Sequence, residues 1–153
     1  MAEFRLQILI DHAEERSSQA ARELRHLRLR WTQEENKKTQ LEEYLLDYRL
    51  RLNQSSTYGI SVTVMMDFRR FISKIELAIA TQAEEIAKCK TQWEVAQKVW
   101  QECERELKSY RALRTRHEQA ELVKENRREQ KLLDEFALNG HRRKQSEGTL
   151  PNS

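Results

Sequence analysis

The stretch Leu52–Phe68, "LNQSSTYGISVTVMMDF", decides how the rest of the chain is read. Between Phe4 and Leu138 it is the only place where a helical pattern stops and restarts. Asn53, the two serines and Gly59 carry helix-stop and turn chemistry. "ISVTVMM" is apolar and rich in β-branched residues, which predicts an extended lead-in or an irregular first turn of a second helix. A strand here would have no sheet to join.

On either side of this stretch run two heptad seams. From Leu6, alternating steps of four and three give Leu6, Ile10, Ala13, Ser17, Ala20, Leu24, Leu27, Trp31, Glu34, Lys38, Leu41, Leu45, Tyr48 and Leu52. From Phe68 they give Phe68, Ile72, Ile75, Ile79, Gln82, Ile86, Cys89, Trp93, Ala96, Trp100, Cys103, Leu107 and Tyr110. Sustained spacing of this kind is the signature of coiled-coil helices. The second seam would next meet Arg114, His117 and Glu121, so a shift of register toward Leu113 and Ala120 is expected there.

Folding the chain at the break makes facing residue numbers sum to about 118–120, each helix rising ~1.5 Å per residue. Leu6 then falls near Tyr110 to Leu113. Glu34 and Lys38 fall beside Gln82, a polar layer built from both helices, which is a common register device. The small residues Ala13, Ser17 and Ala20 face the region of Trp93, Trp100 and Leu107. A parallel homodimer would stack each Trp on its own copy instead. The fold class expected is therefore all-α: a long two-helix antiparallel coiled-coil hairpin with an overhanging C-terminal helix. One domain is expected over residues 1–138, with helices at about 4–52 and 64–138 and a turn at about 53–63. The tail 139–153, "NGHRRKQSEGTLPNS", reads as disordered.

Composition supports this reading. The chain has 153 residues, 35% of them charged and only 7% aromatic, with three glycines and one proline. A compact globular domain needs more turn residues than that. The net charge of +3, from 28 basic and 25 acidic residues, gives no polyanion signal. "HLRLRW" and "NRREQK" lack the dense basic helix of a zipper-type reader, so no nucleic-acid partner is expected.

No apolar run approaches the ~20 residues of a membrane span, and the N-terminus lacks the basic start and cleavage site of a signal peptide. A cytoplasmic location follows as the expectation. The sequon at Asn53 carries no meaning there. Cys89 and Cys103, ~21 Å apart along one helix, are expected to stay reduced.

There is no Gly-rich phosphate loop, no nucleophile elbow, no HExxH, and His12, His26, His117 and His141 are scattered. No catalytic residue, metal ligand, cofactor or small-molecule substrate is expected, and the chain is not read as an enzyme.

Two surfaces are left over. Phe71, Ile75, Ala78 and Gln82 make a second stripe beside the seam, read either as packing over the turn or as a docking patch. At the other end helix two overhangs by ~25 residues, roughly 35–40 Å. The overhang includes "EQAELVKENRREQKLLDEFA", whose charges alternate and whose apolar end holds Leu132, Leu133, Phe136 and Ala137. An isolated helix of this sort is marginal in water and is suited to ordering on a partner.

"FRLQILIDHAEE", "DYRLRLNQ", "FRRFISKIELAIATQ" and "ENRREQKLLDEFA" together resemble FliJ, a family of soluble components of the bacterial flagellar type III export apparatus. The resemblance runs from about Phe4 to Ala137. It implies a stalk, free of its partners as a monomer, that works at the cytoplasmic face of the inner membrane at the flagellar base and serves motility. It implies contact with the hexameric export ATPase, FliI, and with the membrane export gate, FlhA, and escort of empty export chaperones. It carries Phe71, Ile75, Ala78 and Gln82 to the gate. It carries Arg127, Arg128, Gln130, Lys131, Leu133, Asp134, Glu135 and Phe136 to the ATPase. Gln82 stands where relatives carry a histidine. The rival readings are the equivalent stalk of a virulence-type secretion system and a self-associating structural coiled coil.

Overall fold

In the computed structural model, which describes residues 2–148, two helices make up the chain, α1 (Ala2–Tyr58) and α2 (Val62–Gly148). They pack against each other as an antiparallel hairpin, and no strand occurs among the described residues. The fold class read from the seams is the one observed.

The turn is shorter than the sequence suggests, only Gly59–Ser61. Helix α1 continues through "NQSST", and the hydroxyls there bond back to its own carbonyls. Ser56 Oγ donates to the Leu52 carbonyl at 2.9 Å and Thr57 Oγ1 to that of Asn53 at 3.0 Å. Gly59 ends the helix at φ +80°, a left-handed conformation that suits glycine, with its N–H on the Ser56 carbonyl. Ser61 then starts α2 as an N-cap: its Oγ accepts the Val64 N–H at 3.2 Å. This cap turns "VTVMM" into regular helix, where an extended lead-in was expected. At the far end α2 is helical through Gly148, so 139–148 is helix where a disordered tail was expected; 149–153 lie outside the described residues.

Packing divides the chain into two units, Ala13–Arg105 and Met1–His12 with Glu106–Ser153. In the first, the seam positions from Ala13 to Leu52 and from Phe68 to Cys103 are all buried or half-buried. Ala13, Ile72, Ile75, Cys89 and Ala96 are its buried apolar residues. Burying a residue such as Ile75 contributes about 1.5–3 kcal/mol.

The polar layer forms as well. Gln82 Nε2 donates to the Glu34 carbonyl at 2.8 Å and to the Glu34 carboxylate. Lys38 is not part of it; its Nζ turns to Glu42 at 3.8 Å. Trp93 lies against Trp31, with ring centroids 5.5 Å apart, where a small residue was expected opposite it. The Arg28 guanidinium sits 4.3 Å over the Trp31 ring.

A pH dependence of stability is expected from Glu34. The Gln82 hydrogen bond, and after it the one from Lys37, stabilise the carboxylate and hold its pKa below the ordinary value. A depressed carboxylate stabilises the fold above its unfolded pKa, and that contribution fades as pH falls through the folded one. Glu34→Gln is therefore expected to flatten the acid limb of a plot of melting temperature against pH. An unchanged acid limb in the variant would show that other carboxylates govern it.

In the second unit the seam holds its register. Leu6, Ile10, Leu107, Tyr110, Arg114 and His117 are buried or half-buried, whereas Leu113 and Ala120 are exposed. The expected register shift does not occur, because Arg114 and His117 serve the seam with polar contacts. Arg114 reaches the Gln7 side chain at 3.4 Å and His117 reaches Glu3 at 3.9 Å. Beyond His117 every described residue of α2, 118–148, is exposed.

Candidate functional site

Two surfaces project what the seams leave uncovered. The first lies in the unit Ala13–Arg105. Phe71 remains 44% exposed, and its ring packs on Tyr48 at 4.5 Å between centroids. Phe68, a seam residue, approaches the same Tyr48 at 6.5 Å. Tyr48 thus fixes the Phe71 ring without covering it. The Arg51 guanidinium lies 5.5 Å from the Tyr48 ring centroid, and Tyr44, one turn earlier on α1, is exposed.

The four stripe residues do not share one surface. Phe71 is accessible and Ala78 is half-buried. Ile75 is only 7% exposed and belongs to the core. The Gln82 amide is spent on Glu34. Their heptad positions are the reason: Ile75 and Gln82 are themselves seam positions, whereas Phe71 and Ala78 stand one position before the seam residues Ile72 and Ile79. Tyr44 and Tyr48 were not picked out as site residues. Tyr48 reads as a seam residue, and Tyr44 lies off both stripes. An aromatic cluster spanning two helices becomes visible only when the hairpin is paired.

Farther along the same unit, Ala20 and Ala96 are too small to fill the space between the helices. They floor an open groove of about 610 Å³ with Leu27, Val95 and Val99.

The second surface is the exposed end of α2. Arg127, Arg128, Gln130, Lys131, Leu133, Asp134, Glu135 and Phe136 are all exposed, and Gln130 Nε2 bonds the Asp134 carboxylate at 3.2 Å. Leu132, Leu133 and Phe136 cluster on one side of the helix by their spacing, and Phe136 is 82% exposed. Nothing among the described residues covers them. Among the described residues no group of three or more His, Cys, Asp or Glu could hold a metal ion, and no helix is long and apolar enough to cross a membrane.

Two long helices packed along heptad seams, with an aromatic held half-open near the turn, define a protein of the two-helix coiled-coil class. The comparisons with known proteins make that specific. The family model "Flagellar FliJ protein" matches residues 1–146. The flagellar FliJ protein of Escherichia coli K12 is 32% identical over 139 residues, 91% of this chain and 95% of that one. The FliJ protein of Salmonella typhi matches to the same extent. Among solved structures, CT670 of Chlamydia trachomatis, described as a YscO homologue, shares the fold at a TM-score of 0.68. It is 19% identical, with 95% of this chain and 94% of that one covered.

The chain belongs to the flagellar FliJ family and is a component of the flagellar type III export apparatus.

Proposed function

We propose that this chain is a non-enzymatic stalk that joins the export ATPase, FliI, to the membrane export gate, FlhA, and escorts empty export chaperones. It works at the inner membrane as a peripheral, monomeric component. One observation carries the reading: Phe71 is held open by Tyr48 while the seam is complete without it. An accessible, pre-oriented aromatic is the kind of side chain that dominates a protein interface. Phe71 and Ala78, with Tyr44 and Tyr48 beside them, form the gate surface. Ile75 and Gln82 act there only by holding the two helices in register. The uncovered end of α2 is the ATPase surface. The family match along almost the whole chain favours the flagellar apparatus over its virulence counterpart.

Phe71→Ala tests the reading. Losing the Tyr48 contact costs about 1 kcal/mol of stability, so helicity should persist with a modest drop in melting temperature. Affinity for the cytoplasmic part of the gate should fall about 30-fold, the equivalent of about 2 kcal/mol. Affinity for the ATPase should not change. Gate binding that survives the substitution in a folded protein would remove Phe71 from the site.

A further inference from the structure

The turn of the hairpin carries a feature that gate and ATPase docking leave unused. Between Arg51 and Asp67 lie fifteen residues without a charge, in a chain that is 35% charged. No other uncharged run in the sequence is as long. At this tip Tyr58 is 91% exposed, Val62 74% and Met66 51%, and Leu50 is exposed beside them on α1. Val62 and Met66 are one turn apart on α2, so they share a face. Val62 lies nine residues before Phe71, half a turn round the helix, so this face points away from the Phe71 stripe.

Arginines flank the uncharged tip. Arg49 and Arg51 precede it and Arg69 and Arg70 follow it. Arg49 is paired with Glu76 and Arg51 with Asp47. Arg69 and Arg70 make no hydrogen bond or ion pair among the described residues. They stand about 10 Å behind Val62 along the helix. Apolar side chains and a tyrosine ahead of unpaired cations form the pattern of an interfacial segment: the apolar groups enter the boundary of the acyl chains and the cations meet anionic headgroups. Tyrosine suits that boundary because its ring is apolar and its hydroxyl polar.

We propose that the hairpin tip is a membrane-contact site, with Tyr58, Val62 and Met66 entering the interface of an anionic bilayer and Arg69 and Arg70 engaging its headgroups. The charge pattern favours lipid over a protein pocket. A protein pocket would select for shape, whereas this tip pairs a featureless uncharged end with basic residues set back from it. The inference stands whether or not Phe71 docks on the gate.

Co-sedimentation of the full chain with vesicles tests it. Vesicles of equal parts phosphatidylglycerol and phosphatidylcholine should carry the protein down, and vesicles of phosphatidylcholine alone should not. Raising the salt should weaken the binding. Val62→Asp with Met66→Asp should abolish it, with helicity checked by circular dichroism. Arg69→Gln with Arg70→Gln, far from the turn's caps, should lower affinity about tenfold or more. Phe71→Ala should leave it unchanged. Failure to bind anionic vesicles overturns the proposal and leaves the tip to a protein partner. Binding that survives both double variants overturns it too, and would assign the lipid contact to another basic stretch such as Arg142–Lys144.

Discussion

Ile75→Ala is expected to lower the melting temperature by roughly 10 °C, from a loss of about 3 kcal/mol. Ile75 is among the few buried residues of its unit, with Ile72 one turn before it. Truncation there removes three methyl or methylene groups from a seam only two helices thick. A larger protein can close over such a cavity from several sides, whereas here only the facing stretch of α1 can move. The neighbouring Phe71→Ala removes a larger side chain for a smaller cost, because nearly half of that side chain is in solvent already. The two substitutions lie four residues apart, so the contrast between them separates core from surface. Circular dichroism melts of the two variants make the comparison. Equal losses of stability would mean that Phe71 belongs to the core and that the gate surface lies elsewhere. A stable Ile75→Ala would mean that the second seam is not the packed one.

The seams were legible because a heptad writes packing directly into spacing. Leu24, Trp31, Ile72 and Cys89 could be placed at the helix interface from sequence alone, and all four are covered there. The Glu34–Gln82 layer was legible for the same reason, since two polar interruptions at matching distances from the turn must meet. What was not legible depended on side-chain hydrogen bonds. Ser56 and Thr57 look like turn residues, yet α1 runs six residues past Leu52 with their hydroxyls bonded to its own carbonyls. Ser61 looks like part of a β-branched run, yet it caps α2. Arg114 and His117 look like a broken seam, yet Gln7 accepts from Arg114 and Glu3 lies near His117.

The candidate gate site was half legible. The stripe Phe71–Gln82 follows from spacing, but the same spacing also puts Ile75 and Gln82 in the seam, so it does not mark a separate docking face. Nor does it reveal that Tyr48, on the other helix, holds Phe71 in place.

Leu133→Asp combined with Phe136→Asp is expected to reduce binding to the export ATPase by a hundredfold or more, with no change in melting temperature. Both halves of that expectation come from the same fact. Leu133 and Phe136 are 65% and 82% exposed and touch nothing that the fold needs. Aspartate in their place costs the free chain little, since every described residue from 118 onward already faces water. In a complex the same carboxylates would have to be desolvated inside an apolar contact, and burying an unpaired charge is far more costly than losing a methyl group. The charged residues around them, Arg127, Arg128, Lys131, Asp134 and Glu135, are of both signs and solvated. Their individual replacement should mainly alter the salt dependence of association, with a smaller effect on affinity. Isothermal titration of the ATPase with the double variant, alongside Arg127→Gln, distinguishes the two contributions. A double variant that binds normally would move the ATPase contact off this end of α2. One that loses binding together with its helicity would show that Leu133 and Phe136 support the helix itself.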